Sequence, residues 1–215
     1  MHNIRVLASA LFTSATLLMA CSDGEPDQCS QRSNVYAGDA IMTKANAKDF
    51  ECVQVVTGDF STWPDVDSLE SLGRLVHVFG DVSIFGSELQ SLHELENLTK
   101  IGGSLDIDGP IASLEALNHL GEVGGDLSLT GIPVTSLHGF ENLGEIGGDL
   151  TIADLDGITE LGSFGSLWSI GGQFIMQSNA QLESTGWGSR YGDVTVGDSI
   201  YVMSNPALKK LAAFG

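Results

Sequence analysis

The sequence predicts a mainly β protein, folded as a parallel β-solenoid of about eight coils. One observation is a spacing of three that holds for five consecutive apolar positions, which fits neither a 3.6-residue helix nor a strand and suits a chain that wraps a core in tight turns. The other is the spacing of two that follows, which is typical of a strand with one buried face. The clearest unit consists of Leu89, Leu92, Leu95, Leu98 and Ile101, then Gly102 and Gly103, then Leu105 and Ile107.

Residues 1–20 predict a signal peptide, because Arg5 gives a thin positive start and the apolar run that follows is too short to span a bilayer comfortably. The run ends Leu18-Met19-Ala20-Cys21, which resembles a bacterial lipobox, the motif in which the cysteine is diacylated and becomes the mature N-terminus. We therefore expect an exported lipoprotein of the bacterial cell envelope, with simple secretion as the alternative. By the sorting rule of enteric bacteria, Ser22 favours the outer membrane.

Residues 21–35 are polar and lack periodicity, so they predict a tether that leads to a solenoid over 36–215. With Cys21 lipidated, Cys29 and Cys52 remain, and an oxidising compartment favours a disulfide between them. A pair of free buried thiols is the alternative, and zinc is disfavoured because two sulfurs without a nearby histidine make a poor site.

The composition is strongly acidic, with 28 Asp and Glu against 9 Lys and Arg and a formal net charge of −19. Such a surface repels nucleic acid, since phosphate binding relies on Lys and Arg, and it also repels anionic lipid. We therefore expect no nucleic-acid partner and no membrane contact except through the lipid on Cys21. Solubility is the simplest role for the charge.

The unit occurs eight times when the chain is aligned on the second glycine of the Gly-Gly pair, at Gly38, Gly58, Gly80, Gly103, Gly125, Gly148, Gly172 and, in the eighth unit, Asp198. Inward strand positions are expected two and four residues later, at Ala40/Met42, Phe60/Thr62, Val82/Ile84, Leu105/Ile107, Leu127/Leu129, Leu150/Ile152, Phe174/Met176 and Ile200/Val202. We expect the glycines to supply positive φ or bare backbone where each coil turns into its strand.

The seventh unit is expected to depart from this pattern after Leu182, where the threefold run fails at 184–188. The segment to Asp193 contains Trp187, Arg190 and Tyr191. A loop that interrupts a regular solenoid often carries function, although a length variation covered by its own aromatic residues is the alternative.

Several motifs together resemble the receptor L-domain group, which comprises leucine-rich solenoids of growth-factor receptor ectodomains with related repeats in bacterial surface and fungal wall proteins. The motifs are Cys52-Val53-Gln54-Val55-Val56-Thr57-Gly58-Asp59-Phe60, the recurring Leu-x-x-Ile-Gly-Gly-x-Leu-x-Ile units, Asn179-Ala180-Gln181-Leu182 and Asn205-Pro206-Ala207-Leu208. The resemblance covers about 36–215. It implies a right-handed solenoid that binds through a sheet face or rim, without enzymatic activity.

Two polar columns could carry chemistry. One column lies just before each strand and suggests either a calcium ladder or aspartates that accept backbone N–H bonds at the turn. Ser104 and Gln173 interrupt the column, which favours the second interpretation. Its members are Asp39, Asp59, Asp81, Ser104, Asp126, Asp149, Gln173 and Ser199. His93, Glu115 and His138 fall on adjacent coils. They could hold zinc, but two coils separate the histidines by about 10 Å, which favours a solvated strip.

The outward column of the strands is small and polar in the middle and apolar at its C-terminal end, which suggests a contact surface there, with an ordinary solvated face as the alternative. The candidate ligand-binding residues are Ile175, Trp187, Arg190, Tyr191, Tyr201 and Met203. We therefore expect a non-catalytic module that binds a protein or glycan and needs no cofactor. A structural envelope protein is the alternative. A polysaccharide lyase is less favoured because Arg74, Lys100 and Arg190 are scattered.

Overall fold

A computed structural model describes Cys29 and residues 33–86, 88–162, 164–186 and 193–211. Over these residues the protein is an all-parallel β-solenoid of about seven turns, which confirms the predicted architecture and comes close to the predicted coil number. Each coil contributes one strand to each of two eight-stranded sheets, and the strands of each sheet follow one another in chain order. Within this part of the chain no helix is long and apolar enough to cross a membrane.

The two sheets differ in strand length, and short 3-10 helices lie on the side between them. The short-strand sheet contains β1 (Val35–Tyr36), β3 (Val55–Val56), β5 (His77–Val78), β7 (Lys100–Ile101), β9 (Glu122–Val123), β11 (Glu145–Ile146), β13 (Ser169–Ile170) and β15 (Thr195–Val196). The long-strand sheet contains β2 (Ala40–Met42), β4 (Phe60–Thr62), β6 (Val82–Phe85), β8 (Leu105–Asp108), β10 (Leu127–Thr130), β12 (Leu150–Ala153), β14 (Phe174–Gln177) and β16 (Ile200–Met203). Among the described residues, the 3-10 helices with defined bounds are Ala47–Phe50, Glu70–Leu72, His93–Leu95 and Glu115–His119.

The strand register is the one that the glycine alignment predicts. Leu127, for example, pairs with Leu105 on one side and Leu150 on the other. The inward residues of β2 to β14 are buried, and with the threefold runs they form one continuous core. The prediction is wrong for burial at the last strand, where Ile200 is 38% exposed and Val202 is half-buried, because no described coil covers them.

The Gly-Gly pairs are explained by close approach of neighbouring coils, and the expected positive φ is found only at the first anchor, Gly38. A Cβ on Gly124 would lie 2.2 Å from the carbonyl oxygen of Gly102, and a Cβ on Gly147 would lie 2.1 Å from that of Gly124. Since both contacts are with backbone, no side-chain movement relieves them. From Gly102 onward the first glycine of the pair therefore lets the backbones of neighbouring coils approach this closely, whereas Thr57 and Phe79 occupy the same column in the earlier coils.

The threefold run of the seventh unit continues one step further than expected. Thr185, three residues after Leu182, is fully buried, and the adjacent Ser184 pairs in parallel with Glu160 and Lys210. A β-branched threonine fills the position that a valine would take, so the coil keeps its course through Thr185. The other part of that prediction, a loop carrying Trp187, Arg190 and Tyr191, lies outside the described residues.

A disulfide joins Cys29 to Cys52, with Cα atoms 5.4 Å apart. It ties the tether to the coil that follows the Ala47–Phe50 helix. In that same region Tyr36 stacks on Phe50, with ring centroids 5.5 Å apart, so aromatic side chains cover the first coil of the core.

Candidate functional site

The aspartate column before the long strands is a hydrogen-bonded ladder. The Oδ1 atom of Asp59 accepts the backbone N–H of Asp81 at 2.9 Å, and Asp81 Oδ1 accepts that of Ser104 at 2.7 Å. Ser104 continues the ladder through its hydroxyl oxygen, which accepts the N–H of Asp126 at 3.0 Å. The carboxylates therefore serve the turn, as expected, but each one bonds the next coil and not its own bend.

The ladder also explains the second glycine of each pair. A Cβ on Gly148 would lie 2.0 Å from Oδ1 of Asp126, so the carboxylate occupies the place of a side chain. Where the ladder residue is Gln173, the next anchor is Asp198, and Gln173 Nε2 donates to its carboxylate at 3.3 Å. The anchor position can therefore hold the side chain of Asp198 because the ladder residue of the preceding coil is Gln173 and not an aspartate.

The histidine column is solvent-exposed, and one of its members has a carboxylate partner on its own coil. His138 Nδ1 lies 2.7 Å from Oε1 of Glu141, whose other oxygen accepts the N–H of Gly139. Partial burial raises the pKa of Glu141, but the hydrogen bonds from His138 and Gly139 outweigh it and the net pKa is lowered. Among the described residues no group of three or more His, Cys, Asp or Glu side chains is placed to hold a metal ion.

The predicted contact surface at the C-terminal end is partly described. Tyr201 is 43% exposed and Met203 48% exposed on β16, and Ile175 is half-buried beside Tyr201 on β14. We call these three residues the C-terminal patch; Ile200 is also exposed, but it lies on the opposite, core-facing side of β16, in register with Phe174. Trp187, Arg190 and Tyr191, which were expected to extend it, lie outside the described residues.

The long-strand sheet is apolar at both ends, whereas the sequence analysis expected only the C-terminal end to be so. Ile41 on β2 is 52% exposed, and Trp63, which follows β4, is 57% exposed. Between the two ends the outward positions are small or polar, among them Ser83 and Ser128. The face thus has two separated apolar areas.

The short-strand sheet carries two exposed aromatic residues that the sequence analysis missed. Phe79 is 57% exposed and stacks on His77, with centroids 4.1 Å apart, and Trp168 is 49% exposed near the other end. Burial and the charge of Lys100 lower the pKa of His77, which Glu122 opposes, so this surface favours the neutral imidazole. The signal was in the alignment: Trp168 occupies a column whose members in the two preceding coils are Gly121 and Gly144.

No protein-family model matches this chain, and neither a curated protein nor a solved structure matches it. The resemblance to receptor L-domains therefore stays a prediction, and the candidate sites rest on the geometry of the surface alone.

Proposed function

We propose that the protein is a cell-envelope lipoprotein, anchored through lipid on Cys21, whose solenoid is a non-catalytic module for binding a protein or glycan. The observation that supports this is the C-terminal patch. Tyr201 and Met203 both face solvent on β16, and Ile175 lies beside Tyr201 on β14, so three large side chains are grouped on this end of the sheet. Exposed aromatic and methionine side chains grouped on a rigid sheet are typical of contact surfaces.

Replacing Tyr201 by Ala should weaken capture of the partner by about 1–2 kcal/mol, because tyrosine is among the residues most enriched at binding hot spots. The measurement is a pull-down from envelope extracts with the full chain, followed by titration of the captured partner. The same loss is expected for Trp187→Ala.

Control substitutions at Ser83 and Ser128, on the same sheet face, should leave the affinity unchanged. A partner whose capture is equally strong with Tyr201→Ala does not use the C-terminal patch. If no partner depends on either aromatic residue, the structural envelope role gains over the binding role.

Replacing Cys21 by Ser should leave the precursor uncleaved by the lipoprotein peptidase and without a diacyl group, because only the thiol accepts the lipid. Intact mass and membrane fractionation of the expressed protein measure both effects. A mutant protein that still gains the mass of a diacyl group would contradict the lipobox interpretation.

A further inference from the structure

A cleft of about 430 Å³ lies on the short-strand side of the solenoid, lined by Asn142, Gly144, Ser166 and Trp168. It is separate from the C-terminal patch, which belongs to the long-strand sheet. The indole is half exposed, and its Nε1 would lie 3.2 Å from a Cβ on Gly144, so the ring edge stands over bare backbone.

Gly121 and Gly144 form a strip of backbone without side chains next to Trp168. Trp168 N donates to Gly144 O at 3.0 Å, and Gly144 N donates to Gly121 O at 2.9 Å, so the three residues follow one another along the stack. At a strand spacing of about 4.8 Å the strip extends about 10 Å from the tryptophan. A flat ligand could lie along it and contact one exposed aromatic face.

Uncharged polar groups flank the strip. Asn142 Nδ2 donates to Asn118 O at 2.6 Å, which holds the amide in place, and among the described residues neither its Oδ1 nor the Ser166 hydroxyl has a protein partner. Both groups can therefore exchange hydrogen bonds with a ligand. An aromatic platform with a few convergent polar groups is the usual make-up of a small-molecule site.

The charges select among ligands. None of the four lining residues that the structure describes is ionised, and the chain's net charge of −19 disfavours uronate, phosphate or nucleic-acid ligands. Glu145, exposed on the neighbouring β11, makes a cationic peptide the main competitor. A cation over the Trp168 indole gains only a small attraction at a solvent-exposed site. Among the described lining residues there is no carboxylate to add to it, and the nearby Glu141 carboxylate is bonded to His138 and Gly139.

The geometry points to a subsite for a neutral, gluco-configured oligosaccharide, with one pyranose ring stacked on Trp168 and its hydroxyls bonded to Asn142 and Ser166. In this configuration the hydroxyls are equatorial, so each ring face presents axial C–H groups and is flat and apolar. That shape matches both the indole and the bare strip. The inference goes beyond the proposed function, which rests on the C-terminal patch, because it adds a second site on the other sheet and names a glycan as its ligand class.

The test is calorimetric titration of the full chain, purified in detergent, with cellohexaose and chitohexaose. Trigalacturonate, which carries three carboxylates, and a hexa-arginine peptide are the charged comparators. We expect at least one neutral hexasaccharide to bind with a Kd of about 1 mM or tighter. Trp168→Ala should weaken this binding at least about tenfold, while the matched control Trp63→Ala, an exposed tryptophan of the other sheet, should change it less than about twofold.

Three results would overturn the inference: no binding of either neutral hexasaccharide, unchanged binding by Trp168→Ala, or tighter binding of a charged comparator. Thermal unfolding of both variants checks that they are folded, which the exposure of both tryptophans favours. Failure of the saccharide titration can be distinguished from failure of the Tyr201-dependent capture in the pull-down. Tyr201→Ala should leave saccharide binding intact, and capture that depends on Tyr201 can persist when the sugars fail to bind.

Discussion

Replacing Leu127 by Ala should lower the free energy of unfolding by about 2–5 kcal/mol. Leu127 is completely buried at the start of β10, between Leu105 and Leu150 of the adjacent coils. Truncation removes its apolar contacts and leaves a cavity that stacked coils cannot close, since the backbone spacing is fixed by the parallel ladders. Urea unfolding followed by far-UV circular dichroism measures the loss.

Ser128 is the matched control, because it is the next residue on the same strand and its side chain points to the opposite face. Its side chain is partly exposed, so Ser128→Ala should change stability by less than about 0.5 kcal/mol. Equal losses at the two positions would contradict the assignment of Leu127 to the core.

The register of the solenoid was predictable from the sequence because, in each coil, a run of apolar residues spaced by three is followed at a fixed distance by residues spaced by two. The inward residues of a strand recur every two positions, and those of the 3-10 side recur every three. An error of one residue would send the whole apolar set to solvent. Leu127 could therefore be assigned to the core, and Ser128 to the surface, from spacing alone.

Positions where polar side chains enter the core were harder to predict. Asn179 is fully buried, and its amide accepts the N–H of Leu155 at 3.1 Å and donates to Ile152 O at 3.0 Å. Thr185 is likewise buried inside what looked like a broken repeat. Whether a polar residue is buried depends on partners about one coil away, and apolar periodicity contains no information about those partners.

The candidate sites were only partly predictable for a related reason. The period-two alternation of the long strands identifies their outward columns, and Tyr201 and Met203 lie in these columns. Trp168 lies just before a two-residue strand, too short for alternation to indicate which way a side chain points. Its exposure becomes evident only when the glycines of the preceding coils are seen beneath it.

Replacing Gly124 by Ala should destabilise the protein by at least about 2–3 kcal/mol, at the upper end of what overpacking costs in a core. The added Cβ would lie 2.2 Å from the carbonyl oxygen of Gly102 and 2.9 Å from its carbonyl carbon. Both atoms belong to the backbone of the adjacent coil, so relief requires the two coils to separate. Separation would weaken the ladder bond from Gly124 N to Ile101 O, now 2.9 Å long, and the packing beneath it.

Gly121 gives a matched control in the same coil, three residues earlier. A Cβ there would meet only Thr99 O at 3.7 Å, which is ordinary van der Waals contact, and the backbone at Gly121 is not in the left-handed region. Gly121→Ala should therefore be neutral or stabilise by about 0.4–1 kcal/mol, since alanine restricts the unfolded chain. Thermal and urea unfolding of the two variants compare them directly. If both lost the same stability, the effect would reflect glycine content in general. A loss confined to Gly124→Ala would show that backbone contact between coils sets the requirement for the first glycine of each pair.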